Sequence, residues 1–408
     1  MMLRNRNFFA MVESPLLGRG RGEASSPFLR ELHRMTSRRI YIGAAVVLPL
    51  FLIGFMATIF GSGQMEHIPV GVVDADNTSA SREVVRSVAA VPTLDVRHHY
   101  ADDRAARAAV QRKEIYGYLS IPSNFEADMV RGNGVTLNYY YHYALLAVGG
   151  EVMSAFEQAL LPVRMAPIVV EAVTLGAIEE GIETFLLPMT SDDHALYNPS
   201  LNYSVYLTLP IFYIMFQILV LLVTLYAIGI EGKEGTGRAW LEAADGNILR
   251  AVVGKLLPYT VLFVAEALLA NVVFFRFVNI PFAGDMGLFS LLCVLFVIAT
   301  QSVAVLLYAL LPVLSFVISI VSMVGSLGAT LSGLTFPLPA MSPIVQYAAL
   351  LFPVRHFTVA MQQMVYFDGG FTSCYLSLAV LCLFPLIALL LLPRLRRILI
   401  RRRYDTLE

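Results

Sequence analysis

The sequence GIEGKEGTGRAWLEAADGNILRAVVGKLLPY, residues 229–259, is short, charged and set between two long apolar segments. It has a glycine-rich opening followed by a helix predicted over residues 238–244. Mixed charge in so apolar a chain indicates a loop outside the membrane, where a soluble partner can make contact. We call residues 230–250 the charged loop.

The composition indicates an integral membrane protein. Of the 408 residues, 57% are hydrophobic and 14% are charged, whereas soluble domains have about a quarter of their residues charged. Cys293, Cys374 and Cys382 lie in or beside apolar runs, so we expect structural thiols rather than disulfides or a metal site. The residues given contain no Walker A motif, so the sequence gives no sign of nucleotide hydrolysis on this chain.

Six apolar runs are long enough to span a membrane, since about 20 residues at 1.5 Å each cross a core of about 30 Å. The first run is too long for the apolar part of a signal peptide, so we expect it to remain as a span. The predicted fold class is an α-helical polytopic membrane protein with an inserted α/β domain. The predicted segments are the N-terminal segment 1–39, the first span 40–60, the outer domain 61–200, the second span 201–229, the charged loop 230–250, the third span 251–278, the fourth 285–311, the fifth 312–334, a re-entrant segment 335–372, the sixth span 373–393 and a basic tail 394–408.

The outer domain begins with alternating strands and helices, which indicates a small α/β layer. Residues 144–185 follow as a long amphipathic helical stretch, and we expect breaks near Pro162 and Pro167 and a role as a stalk. The predicted strands are 68–73, 94–100, 115–121 and 135–141, and the predicted helices are 79–90, 102–113 and 124–131.

Basic residues predict the orientation of the chain. Eighteen of the 29 lysines and arginines lie in the N-terminal segment, in the loop from Lys233 to Lys255 and in the tail. With six spans these stretches share one face, which the positive-inside rule makes cytoplasmic, so both termini are cytoplasmic and the outer domain is extracytoplasmic. Residues 27–39 carry Phe28, Leu29 and Leu32 at helical spacing, which suits either an interfacial helix or a plain solvated leader.

Glu266 lies near the middle of the third span, where a carboxylate is costly and must face protein or water. It is either a proton-linked or cargo-contacting group of a pathway, or a neutral acid that holds helices together. In the second case its partner would be Gln217, Asn271 or Gln301, which we otherwise interpret as packing contacts.

Small residues and prolines mark the fifth span and the segment after it. Gly325, Ala329 and Gly333 recur every four residues, a stripe that allows close helix packing either between two copies or within one chain. The helix-breaking prolines predict two half-helices that dip into the membrane as a gate, with Arg355 and His356 either at its rim or anchored to headgroups. These prolines are Pro337, Pro339, Pro343 and Pro353.

Three stretches resemble the permease subunits of ABC-2-type exporters, and their order within six spans strengthens the resemblance. The first is IPVGVVDADNTSASREVV (68–85) with YGYLSIPSNFEADMVRG (116–132), similar to that family's extracytoplasmic domain. The second is KEGT (233–236) with GKLLPY (254–259), similar to its cytoplasmic loop, although Ile230-Glu231 stands where an Arg-Glu pair is common. The third is SGLTFPLPAMSPIVQYAALLFPVRHF (332–357), similar to its re-entrant segment.

The resemblance implies a non-catalytic subunit of a bacterial inner-membrane exporter. ATP and magnesium would bind to a separate ABC ATP-binding subunit, and a second permease copy or paralogue would complete the pathway. A periplasmic adaptor and an outer-membrane channel are further partners to expect, and the cargo would be a lipid, drug or peptide. The residues expected to couple to the ATPase, with Trp240 as a candidate hot-spot anchor or an interfacial residue, are Glu231, Lys233, Glu234, Gly235, Thr236, Arg238 and Trp240.

Two other classes of protein stay open. One is a receptor whose outer domain binds a ligand and signals inward. The other is an ion-coupled carrier that uses Glu266, although no internal repeat of the spans is apparent.

Overall fold

The computed structural model describes residues 26–59, 63, 65–131, 133–174, 198 and 202–401. These residues form two compact units. The first unit comprises the described residues up to Gly54, Ile211–Val272 and those from Phe282 onward. The second comprises those within Phe55–Pro210, together with Val273–Pro281.

Within the described residues, six helices are long and apolar enough to cross a membrane, which confirms the predicted fold class. A short helix α1, Pro27–Ser37, precedes the first of them. The six helices are α2 (Arg39–Ile59), α7 (Tyr203–Lys233), α9 (Ile248–Phe277), α10 (Met286–Leu310), α11 (Leu314–Leu331) and α14 (Phe371–Arg401).

The charged loop contains one short helix, α8, Gly237–Glu242. It is preceded by Gly235 with φ 67°, a left-handed conformation that glycine adopts readily and that ends α7. The loop therefore turns sharply away from α7 before α8 begins.

The predicted proline-rich segment contains a bent pair of helices, α12 (Pro343–Ala349) and α13 (Pro353–Tyr366), whose axes differ by 89°. Each helix begins with a proline, which has no N–H to lose at this position and a φ suited to it. Pro337 precedes a short 3-10 turn, Leu338–Ala340, that contains Pro339.

The second unit contains a four-stranded sheet with the order β2-β1-β3-β4. Strand β1 pairs in parallel with β2 and β3, and β3 pairs antiparallel with β4. The strands are β1 (Ile68–Asp74), β2 (Leu94–Tyr100), β3 (Gly117–Ile121) and β4 (Asn138–Tyr141), and the helices are α3 (Ser79–Ala89), α4 (Asp103–Gln111), α5 (Phe125–Val130) and α6 (Leu146–Thr174).

Helices cover both faces of the sheet. Val70 and Leu119 pack with residues of α3, α5 and α6, whereas Val73 and Tyr118 pack with α4 on the other face. Gly117 permits the close approach of α6, because a Cβ at this position would lie 2.8 Å from a methyl of Val152. The domain is therefore a sheet between two helical layers.

The prediction of a stalk broken by prolines is wrong in the described part of the stretch. Helix α6 continues through Pro162 and Pro167, and its Val152, Phe156 and Leu160 lie in the core beneath the sheet. Apolar residues at four-residue spacing give α6 a buried face, so it is a layer of the domain. The remainder of the predicted stretch, beyond Thr174, lies outside the described residues.

Candidate functional site

A buried carboxylate at the end of α7 lies at the centre of the candidate site. Glu231 is fully buried and accepts hydrogen bonds from three cations. Arg30 donates to its two oxygens over 3.1 and 2.9 Å, Arg34 donates over 2.6 Å, and Lys255 donates over 2.9 Å. Because Arg30 and Arg34 belong to α1 and Lys255 belongs to α9, one carboxylate joins three helices.

A second buried carboxylate, Glu31 of α1, completes the inner part of the site. It forms an ion pair with the Lys255 ammonium and accepts a hydrogen bond of 2.8 Å from the Tyr259 hydroxyl. Lys255 thus lies between two acids, and its ammonium is 5.2 Å from the centre of the Trp240 ring. Burying these charges is costly, and the surrounding partners offset that cost.

The cluster becomes more exposed toward the charged loop. Glu234 binds Arg34 over 3.2 Å and Arg38 over 2.9 Å, and Arg38 is 41% exposed. The Thr236 hydroxyl donates to Glu231, which ties the loop to the inner part. We call Arg30, Glu31, Arg34, Arg38, Glu231, Glu234 and Lys255 the charge cluster.

The charge cluster holds three carboxylates against four cations. Burial by itself lowers the pKa of the Arg34 guanidinium, whereas the carboxylates of Glu231 and Glu31 raise it, and the result is a pKa above the ordinary value. Arg34 therefore remains charged although it is partly buried, and α1 is held to α7 and α9 by charge.

The charged loop presents only part of its predicted contact surface. Lys233, Glu234 and Arg238 are exposed, while Gly235 and Thr236 are half-buried. One guanidinium nitrogen of Arg238 donates to the Ile400 carbonyl of α14 over 3.3 Å. The exposed part of the loop thus lies between the ends of α7 and α14.

The structure contradicts two of the predicted contacts. Trp240 is 1% exposed, and its indole N–H donates to the Ala251 carbonyl over 3.2 Å. Glu231 is enclosed by the charge cluster. Neither side chain reaches a partner's surface in this conformation, because the apolar ring belongs to the core and the carboxylate is occupied by cations.

Sequence reasoning missed the contribution of α1. Its apolar Leu29 and Leu32 are exposed, as an interfacial helix requires, but its charged face is turned toward the protein. One signal was available, because Glu31 is the only acidic residue between Ala24 and Met65. A lone acid in a basic helix is a candidate for pairing elsewhere in the chain.

Glu266 is 4% exposed, and within the described residues neither of its carboxylate oxygens has a hydrogen-bond partner. The predicted partners are differently engaged or do not reach it. Asn271 accepts a hydrogen bond of 2.6 Å from Tyr213, and Gln301 accepts one of 2.7 Å from Thr260. Gln217 is buried, and within the described residues no hydrogen bond joins it to Glu266. The predicted pairing of the Glu266 carboxylate with a side-chain amide is therefore wrong.

The predicted gate residues lie in the bent helix pair. His356 is 7% exposed, and its Nε2 lies 3.0 Å from the carbonyl oxygen of Leu350. It therefore bridges the bend between α12 and α13. The predicted position at an exposed rim is wrong, because the side chain is buried. Arg355 is half-buried in the first turn of α13.

The predicted small-residue stripe packs within this chain at one position. A Cβ at Gly325 would lie 2.5 Å from Ile218 of α7, so glycine allows α7 and α11 to approach closely. Ala329 is half-buried, and Gly333 lies beyond the end of α11 with φ 87°. The stripe is therefore shorter than predicted, since Gly333 forms a turn.

The chain matches a known protein family over most of its length. The family model described as ABC-2 family transporter protein matches residues 39–392, which include all six candidate spans except the end of α14. The comparison with curated proteins and that with solved structures returned no match.

Proposed function

Because the chain belongs to the ABC-2 family of transporter proteins and is therefore a membrane-spanning transporter subunit, we propose that it works as the permease of an ATP-driven exporter. A separate ABC ATP-binding subunit docks on the charged loop. By the positive-inside rule this loop is cytoplasmic, as are both termini, and the α/β domain is extracytoplasmic. A bacterial inner membrane is the expected location.

The observation that carries the proposal is the charge cluster directly behind the exposed part of the loop. Thr236 of the loop binds Glu231, and Glu231 binds α1 and α9 through Arg30, Arg34 and Lys255. A push on the loop therefore displaces the end of α7 together with two other helices. Buried charges resist being separated, so the three helices move as one body.

The cargo pathway forms when two such permeases, identical or paralogous, come together. The bent pair of α12 and α13 forms its outer gate. The non-helical backbone at the bend is tolerated at membrane depth where protein or a cavity surrounds it, so we expect the bend to lie beside the pathway. An amphiphilic cargo, such as a lipid, drug or peptide, leaves through this gate. The α/β domain passes the cargo onward, to a periplasmic adaptor and an outer-membrane channel where these exist.

Charge reversal on the exposed part of the loop tests the docking. Lys233→Glu with Arg238→Glu places two acids where the partner contacts two bases, and we expect about tenfold less ATP-binding subunit to copurify from the native membrane. Arg86→Glu with Arg104→Glu, on exposed positions of the α/β domain, is the matched control. The proposal fails if the unmodified chain recovers no ATP-binding chain and no ATPase activity.

Glu266 favours a second candidate function, that of an ion-coupled carrier. A buried carboxylate without a partner among the described residues is suited to taking up a proton or cation. In vesicles that contain this chain alone, a carrier shows proton flux that Glu266→Gln abolishes and Gln217→Leu preserves. Absence of flux through the unmodified chain would exclude this candidate.

A further inference from the structure

An apolar groove of about 280 Å³ lies between the spans α9, α10 and α14. Its rim is formed by side chains that face outward from the helices, since Leu249, Val253 and Leu257 of α9 and Leu389 of α14 are each exposed by more than 40%. The groove therefore opens on the surface that these spans present to their surroundings. In a membrane, that surface faces the hydrocarbon of the bilayer or another protein.

The length of the groove corresponds to one leaflet. Leu249 lies in the first turn of α9 and Thr260 lies eleven residues further, a distance of about 16 Å along a helix. The hydrocarbon core of a bilayer is about 30 Å thick. The groove thus extends along about half of α9, from the end beside the charged loop toward the interior of the span.

A polar group lies at the deep end of this apolar groove. Gln301 of α10 lines it and is 3% exposed, and its Oε1 lies 2.7 Å from the Thr260 hydroxyl oxygen, which also lies 3.0 Å from the Leu256 carbonyl oxygen. Its Nε2 has no hydrogen-bond partner among the described residues. The neighbouring Ser302 hydroxyl donates to the Ile298 carbonyl over 2.7 Å and makes no hydrogen bond with Gln301 Nε2.

An unpaired amide N–H₂ at this depth is costly, because the hydrocarbon chains of lipids provide no acceptor. An oxygen carried into the groove by an otherwise apolar molecule would satisfy this N–H group.

We propose that the groove binds an aliphatic or alicyclic molecule from the bilayer that carries one carbonyl or hydroxyl oxygen, and that this oxygen accepts a hydrogen bond from Gln301 Nε2. The apolar body of the ligand contacts Val253, Leu257 and Leu389. Binding at this site requires neither ATP nor a partner subunit, so the proposal stands or falls independently of the exporter function.

Two photoactivatable aliphatic diazirines of equal length, one with a ketone and one without, test the proposal on the full chain in lipid nanodiscs. One neutral hydrogen bond predicts that the ketone probe labels the groove peptides of α9 and α14 about two- to tenfold more strongly than the hydrocarbon probe. Gln301→Leu is expected to reduce this ratio to about one while the hydrocarbon probe still labels the groove.

Three further variants fix the interpretation. Gln301→Met keeps the side-chain length and should also reduce the ratio of ketone to hydrocarbon labelling to about one. It provides a second test if Gln301→Leu fails to fold. Gln217→Leu changes a buried glutamine outside the groove and preserves the ratio. Val253→Trp fills the groove and lowers labelling by both probes.

Three results would overturn the proposal. The first is equal labelling by the two probes in the unmodified chain, which indicates an acyl-chain site only. The second is a preference for the ketone probe that persists in both Gln301 variants, which indicates that the ketone oxygen binds to another group. The third is a groove that neither probe labels, together with crosslinks between two chains that carry Val253→Cys. This result indicates that a second copy of the chain covers the groove.

Discussion

Lys255 of α9 and Glu231 of α7 form a fully buried ion pair, with 2.9 Å between Nζ and Oε1. Lys255 is 1% exposed and Glu231 is not exposed at all. A pair of this kind adds little to stability when it is compared with apolar residues of the same shape. It penalises separation heavily, because either partner left alone would be a buried charge without compensation.

Removing the ammonium from this pair is expected to destabilise the first unit. Lys255→Met leaves Glu31 and Glu231 with fewer partners, and the loss of one partner of a buried pair typically costs about 3–5 kcal/mol. Thermal unfolding followed with a thiol-reactive dye measures the effect, since Cys293 and Cys374 are buried. A Cys382→Ser background removes the exposed thiol.

The matched control for Lys255→Met is Arg250→Met, whose side chain is 63% exposed in a pair with Asp245. Exposed pairs contribute about 0–1 kcal/mol, so this variant should unfold close to the unmodified chain. Equal unfolding temperatures for the two variants would contradict the buried role of Lys255.

Within the charge cluster, stability should depend on depth. Arg34→Met removes bonds to Glu231 and Glu234, and its side chain is 12% exposed, whereas Arg38→Met removes one bond from a side chain that is 41% exposed. We expect the first variant to lower the unfolding temperature clearly and the second to lower it little. Added salt should weaken the Arg38 contact more than the Arg34 contacts, because screening acts on exposed charges.

We expect Trp240 to stabilise the fold and not to contact a partner. Trp240→Ala removes a buried ring and its hydrogen bond to Ala251, which predicts a loss of about 3–5 kcal/mol. Arg238→Ala in the same short helix should change the free energy of unfolding by less than about 0.5 kcal/mol. If Trp240→Ala unfolds like the unmodified chain but loses the ATP-binding subunit, the ring is an anchor after all.

The contact between α7 and α11 depends on a glycine. Gly325→Ala places a methyl group 2.5 Å from Ile218, and overpacking of this kind costs about 1–3 kcal/mol. Ile218→Ala in the same chain should restore part of the loss. Gly54→Ala in α2 meets nothing within 4 Å and should be neutral or stabilising, so a similar loss there would show that the effect is not steric.

Asp76 in the α/β domain should make one loop sensitive to acid. The Thr78 hydroxyl and the backbone N–H of Glu126 donate to its carboxylate over 2.6 and 3.0 Å, and these bonds lower its pKa below the ordinary value. A lowered pKa stabilises the fold above the ordinary value of about 3.8, and this contribution is lost as the pH falls below it.

The measurement is hydrogen exchange of the α5 amides in the full chain, compared between neutral pH and a pH well below 3.8. We expect the protection of Glu126 to fall in acid, and Asp76→Asn to show reduced protection at both pH values. Asp103→Asn, an exposed residue of α4, is the control. Protection that stays constant in acid would contradict the role of Asp76.

Local patterns in the sequence were enough to predict the spans and the strands, but not the order in which the strands pair. Apolar runs predicted the six helices. The alternation of strands and helices from Ile68 onward predicted the strands, whose ends lie within a few residues of those observed. The pairing of Glu31 with Lys255 was not predictable in this way, because 224 residues separate them and no local pattern relates them. Trp240 was misjudged because its position in a charged loop does not reveal the core that encloses it.

The separation of the charge cluster along the chain has a consequence for biosynthesis. Glu31 leaves the ribosome 224 residues before Lys255, and at about 5–20 residues per second this interval lasts about 10–45 s. During that time the partners of α1 in α7 and α9 are not all synthesised, so water and lipid headgroups solvate charges that later become buried. The earliest described helix to be synthesised is thus among the last to reach its final packing.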